Sequence, residues 1–281
     1  GIGGSLISGA DSALIYDTLL QLKKDEDYTI VEGKNYGIGN VSEGIAGVIG
    51  GFLAITSLDL PVYIQTFVLF FSIPISYSLV EPESSYKLAK SIKSIWLVVK
   101  ETFFEKNKLK WYIIYSSSMG IGTLSIAWFV QPFLIEIETP LFYYGIIWAG
   151  LNIITGITSY YSYLFKHKDL LIYISLIMVI SFILLGYNIS MYGLIFIVFI
   201  YLIRGIITPT LRNLININST SERRATVLSL RSFIIRISFA IIAPILGYIT
   251  DYSDISLVFY SLAMIVGLSS ILAVYKLKIN N

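Results

Sequence analysis

"SGADSALIYD", residues 8–17, places two carboxylates, Asp11 and Asp17, in a run that is otherwise small or apolar. With its flanks the run covers residues 1–22, close to the roughly 20 mostly apolar residues that cross a bilayer as a helix. Eight further stretches of that kind follow, at about 35–57, 60–80, 109–135, 141–165, 170–187, 191–213, 225–250 and 256–276. They are continuously apolar and do not alternate, so helices are expected and not barrel strands. Composition agrees. Hydrophobic residues make up 56% and charged residues 14% of the 281, against about 25% charged in soluble domains. Mean hydropathy is +0.75. The reading is an all-α polytopic membrane protein with nine transmembrane helices, embedded in a lipid bilayer.

The basic residues orient it. Lys23, Lys24 and Lys34 lie between spans one and two, and seven lysines from Lys87 to Lys110 lie between three and four. Lys166 and Lys168 follow span five, Arg212, Arg223 and Arg224 lie between seven and eight, and Lys276 and Lys278 close the chain. The opposite connections, "SLDLP", "IEIETP", "YNIS" and "DYSDIS", carry no Lys or Arg. The positive-inside rule makes the basic face cytoplasmic, which puts the C-terminus in the cytoplasm of a cell whose plasma membrane holds the chain. Nine spans then place residue 1 outside. A chain that starts outside, with no Met and no basic lead, reads as one whose upstream spans are missing.

Residues 84–108, "SSYKLAKSIKSIWLVVKETFFEKNK", differ from the spans. Leu88, Ile92, Ile95, Trp96, Val99 and Phe103 recur at helical spacing, which predicts an amphipathic helix on the cytoplasmic surface. It divides the chain into a three-span unit (1–80), a linker (81–108) and a six-span unit (109–281). Within span two, Gly44, Gly47, Gly50 and Gly51 would let a neighbouring helix approach closely. Pro132, Pro209 and Pro244 fall inside spans and predict kinks. Ser219 with Glu222 fits a capping box ahead of span eight.

Charges at membrane depth cost several kcal/mol unless paired or hydrated, so each is a candidate functional residue. Counting about 1.5 Å per residue from the nearest basic border residue puts Asp17 at about 9 Å, Arg231 at about 10 Å, Arg204 at about 12 Å and Glu43 at about 13 Å. Asp11 and Arg236 lie deepest, at about 18 Å. The acids all lie in the three-span unit and the bases in the six-span unit. They are expected to pair across the seam and to close its cytoplasmic side, Asp17, Glu43, Arg231 and Arg236 acting as gate charges. Amides at depth, Gln131 and Asn152, could face a solute or bond across helices.

Enzyme signatures are absent: no HExxH, no Walker loop, no nucleotide-binding glycine fingerprint, and one His, His167, between two lysines. The chain has no Cys. Neither a cofactor nor a metal is implied, and the basic residues track the membrane border, which gives nucleic-acid binding no basis.

The order of "SGADSALIYD", "EGIAGVIGGFLA", "LVEPE", a long basic loop, "WFVQPFL", "FYYGIIWAGLN", "SERRATVLSLRSF" and "APILGYITD" resembles the major facilitator superfamily (MFS) of secondary transporters, in its bacterial branch near drug-efflux members. That family has twelve helices in two six-helix halves. On its template the nine spans look like helices four to twelve of a partial MFS fold. "LFKHKD" departs from the family's Gly–Asp–Arg pattern, and span two has the glycines of the antiporter signature without its proline. The resemblance implies a monomer that moves a small molecule, a drug or metabolite, by alternating access, with protons as the coupling ion. It also implies a central cavity lined by spans one, four and seven, contributing Asp11, Gln131 and Arg204. The alternatives are a transporter-like scaffold or sensor that does not transport, and a polytopic membrane enzyme.

Overall fold

In lipid every backbone N–H and C=O must find its partner within the protein, and a helix supplies all of them locally. The computed structural model describes residues 10–57, 59–80, 92–104, 108–165 and 169–279, and among these the regular structure is helical throughout. Eleven α-helices occur in this order: α1 (Ala10–Gln21), α2 (Tyr28–Thr56), α3 (Leu60–Phe70), α4 (Ser72–Ser78), α5 (Ile92–Phe104), α6 (Leu109–Glu136), α7 (Phe142–Tyr160), α8 (Leu170–Tyr187), α9 (Leu194–Ile217), α10 (Ser221–Tyr252) and α11 (Ile255–Ile279). Six segments of the described chain are long and apolar enough to cross a membrane: Leu60–Ser78, Leu109–Glu136, Leu170–Tyr187, Met191–Ile217, Arg223–Tyr252 and Ile255–Ile279. This is a multi-pass membrane protein. The other three expected spans are helical where described, as α1, α2 and α7. Glu32, Lys34 and Glu43 interrupt α2, and tyrosines, glycines and Asn152 dilute α7.

α6 to α11 pack on one another. Their core is apolar: Phe133 of α6 meets Phe259 of α11 edge-on at 6.1 Å, and Met119, Met178, Phe182 and Val266 are buried around them. Hydroxyls tie the helices together. Tyr115 of α6 donates to the carbonyl of Leu171 at 2.7 Å, Thr155 of α7 to that of Tyr201 at 3.1 Å, and the Ser118 and Ser269 hydroxyls meet at 2.6 Å. Such bonds help hold helices in lipid, where apolar contact alone gives little preference for protein over hydrocarbon.

α1 to α4 precede these helices in the chain. Span three is split into α3 and α4 because Pro74 has no N–H to give to the carbonyl one turn back. Neither piece buries any residue. α2 packs along α7, and their backbones nearly touch: a Cβ at Gly37 would lie 2.7 Å from the Gly156 carbonyl oxygen, and one at Gly156 would lie 2.8 Å from that of Gly37. Of the four glycines expected to serve this contact, Gly44 and Gly47 do, whereas Gly50 and Gly51 have nothing within 4 Å.

Other local expectations need correction. Ser219 caps nothing: its hydroxyl bonds back to the Ile215 carbonyl at 2.6 Å at the end of α9, and α10 starts after Thr220 without a side-chain cap. Helix continues through Pro132, Pro209 and Pro244, so none of the three breaks its span. On α5 the buried positions are Val98 and Thr102, packed toward α6 and α10, while Trp96 is exposed. Phe103 of the expected stripe packs against the same cluster, and Glu101 pairs with Arg223 of α10. Leu88, its neighbouring lysines and His167 lie outside the described residues.

Candidate functional site: a charged cavity among five helices

α1, α2, α6, α9 and α10 converge on a cavity of about 430 Å³. Helical spacing explains its wall. On α6, Ser116, Gly120, Thr123 and Ala127 recur every three to four residues; on α9, Arg204, Thr208 and Arg212 recur every four; on α10, Ser232 and Arg236 are four apart with Arg231 beside them. Asp11 of α1 and Tyr36 of α2 complete it. Four guanidiniums and one carboxylate therefore face one space.

Each arginine has a different environment. Arg212 bonds the carboxylate of Glu32, which is fully buried on α2. The other Glu32 oxygen accepts from Tyr28 at 3.0 Å, and the Tyr28 hydroxyl meets that of Ser12. This chain of polar groups links α1, α2 and α9. Arg204 donates from Nε to the Tyr36 hydroxyl at 3.1 Å and lies 5.6 Å from the centre of the Tyr201 ring. Arg231 is 8% exposed and donates to the Ser116 hydroxyl. Arg231 and Arg236 take part in no ion pair among the described residues.

The basic end, where α1 ends and α2 and α10 begin, is tied shut. Arg224 of α10 pairs with Asp17 of α1 and stacks on Tyr16, its guanidinium carbon 4.0 Å from the ring centre. The Ser159 hydroxyl of α7 donates to the Gly33 carbonyl of α2 at 2.9 Å. With Arg212–Glu32, these contacts tie α1 and α2 to α7, α9 and α10.

The sequence-derived candidates are distributed as follows. Asp11, Arg204, Arg231 and Arg236 share the cavity. Asp17 is paired with Arg224, not with one of the deeper bases. Glu43 is exposed on α2 and influences Arg204 through its field, while Arg204 hydrogen-bonds Tyr36 instead. Gln131 lines a second cavity, of about 530 Å³, with Trp128, Tyr144 and Trp148. Asn152 is buried in the α2–α7 seam, where its amide donates to the Trp148 carbonyl at 3.1 Å and its Cβ lies against Gly44. Three site residues escaped the sequence reading: Glu32, Arg212 and Tyr36. Arg212 counts in the sequence as a basic border residue, and Glu32 falls before the expected span at 35–57. One signal was available: Tyr28, Glu32, Tyr36 and Asn40 are spaced by four, a polar stripe on one face of α2.

No family model and no curated protein matches the sequence. Among solved structures the fold is similar to the crystal structure of the E. coli fucose:proton symporter FucP in a variant form, with a TM-score of 0.62 and 13% identity over 97% of this chain and 82% of that one. This likeness is one of fold, and it agrees with the all-α polytopic arrangement expected from the sequence.

Proposed function

We propose that the chain is a secondary active transporter in which the α1–α4 unit and the α6–α11 unit rock about the cavity between them. The observation that supports this reading is a charged, hollow site where α1 and α2 meet α6, α9 and α10, with the ion pairs that join these helices among the described residues gathered at one end. Alternating access needs a solute site that each side reaches in turn and a closure that can break. Asp17–Arg224 and Glu32–Arg212 are such a closure, and the positive-inside rule makes that end cytoplasmic. The geometry then corresponds to a state closed toward the cytoplasm. The polar amide Gln131 and its aromatic neighbours lie further along α6, toward the opposite side. The nine-span arrangement in a plasma membrane and the monomeric state belong to the same proposal.

Protons are the proposed coupling ion, with Asp11 as the carrier. It is the single carboxylate in the cavity wall, and its field reaches Arg212, which anchors the closure through Glu32. Protonating Asp11 removes a negative charge from the neighbourhood of Arg212 and alters the balance that holds the basic end shut. In proteoliposomes, Asp11→Asn is expected to abolish accumulation driven by a pH gradient and to leave solute exchange intact. Uphill transport retained by that variant rejects Asp11 as the carrier.

A further inference from the structure

We infer that the solute taken by this cavity is a small oxyanion, a molecule bearing carboxylate or phosphate groups with a total charge near −2. The inference rests on the transport reading above. Arginine stays protonated in any protein environment, so four fixed positive charges border the space. Two carboxylates offset them, Asp11 in the wall and Glu32 behind Arg212. Two positive charges are left unmatched. Arg204, Arg231 and Arg236 form no ion pair among the described residues, but Arg204 is held by the Tyr36 hydroxyl, which leaves Arg231 and Arg236 of α10 as the two least compensated.

Arg231 is the stronger observation. A guanidinium more than nine-tenths buried is expensive to keep from water unless a counter-charge or several acceptors meet it. The hydroxyl of Ser116 is neutral and supplies a single acceptor. A cation held there without a carboxylate, facing a cavity of about 430 Å³, is arranged for an anion that arrives from outside. Guanidinium forks bond two oxygens of one centre at once, which selects carboxylate and phosphate over halide or hydroxyl. Arg204 is preorganised for the same task, its Nε held by Tyr36 and its plane near Tyr201. The volume falls in the range of about 300–1,000 Å³ typical of small-molecule sites. The same field repels cationic amphiphiles, so this cavity argues against cationic drugs as cargo.

The test uses the full chain in nanodiscs for binding and in liposomes for counterflow. The probes are succinate, glycerol 3-phosphate, glycerol, fucose and tetraphenylphosphonium. Saturable binding of succinate or glycerol 3-phosphate is expected, and whichever binds tells carboxylate from phosphate recognition. Arg231→Gln should weaken that binding about tenfold or more, the effect of losing a charged hydrogen-bonding partner, and Arg231→Lys should weaken it less. If Arg231→Gln does not fold, Arg236→Gln removes an exposed cavity charge without uncovering core and should weaken anion binding too. Binding or counterflow of glycerol, fucose or tetraphenylphosphonium with neither anion engaged overturns the oxyanion inference and leaves transport standing. Anion binding that depends on Arg231, with no probe crossing in counterflow, upholds the oxyanion site and rejects the transport reading. Binding of neither anion overturns the inference.

Discussion

Removing Arg212 should destabilise the fold far more than removing Glu32, although the two form one ion pair. Glu32 has no exposed surface, while Arg212 is 22% exposed. In Arg212→Gln the carboxylate stays buried with only Tyr28, at 3.0 Å, to satisfy it. Stranding one member of a buried pair costs about 3–5 kcal/mol. In Glu32→Gln the guanidinium left behind can turn toward the water-accessible cavity, and the loss approaches that of one charged hydrogen bond, about 1.5–3 kcal/mol. The double variant leaves no stranded charge, so it should be more stable than Arg212→Gln alone, with a coupling energy of about 1–3 kcal/mol. The assay is reversible unfolding in mixed micelles by SDS titration, followed by tryptophan fluorescence, on wild type, both singles and the double. Each protein must first give a single transition on refolding. Equal costs for the two singles, or singles that simply add in the double, refute the claim that burial asymmetry sets the energetics of this pair.

Other outcomes follow from the same geometry. Ala13 is buried on α1, one turn from Asp17 on the same stripe, and the chain contains no Cys, so Ala13→Cys gives a single-site probe. Adding Arg224→Gln should speed its reaction with a membrane-permeant maleimide, and an unchanged rate would show that the Asp17–Arg224 pair does not keep this seam closed. At the α2–α7 contact, Gly156→Ala pushes a methyl to 2.6 Å from a Val41 methyl and 2.8 Å from the Gly37 oxygen and should cost about 1–3 kcal/mol in the same micelle assay. Gly50→Ala, which meets nothing within 4 Å, should lose no stability; equal loss in both would contradict the crossing described. In the loop before α11, the Ser256 N–H donates to Asp254 at 2.8 Å and draws its pKa below the ordinary carboxylate value. A depressed folded pKa means the cap is fully present above the ordinary Asp value of about 3.9 and is lost as pH falls through the lower folded one. Asp254→Ala should therefore speed amide exchange in the first turn of α11 at neutral pH, with a cost of about 0.5–2 kcal/mol that disappears in strong acid.

What the sequence by itself determined was set by solvent. Apolar runs of spanning length can satisfy their backbones in lipid only as helices, so the helical segments were legible, and α8 matches its expected limits, residues 170–187. The cost of charge at depth marked Asp11, Arg204, Arg231 and Arg236, which the fold brings to one cavity. Which charge meets which was decided by tertiary structure alone. Glu32 lies two residues before Lys34 in the chain, yet one faces the core and the other the surface, because two residues of helix turn by about 200°, which a linear depth scale does not register. Arg212 looked like a border residue until α2 was seen to begin at Tyr28 and to lay Glu32 against it. Gln131 and Asn152 look equivalent as buried amides; helix phase sends one to an aromatic cavity and the other into a seam that glycines pull close. Hydropathy is a property of each segment, whereas an ion pair is a property of two segments and of the rotation of each about its own axis. Only packing fixes that rotation.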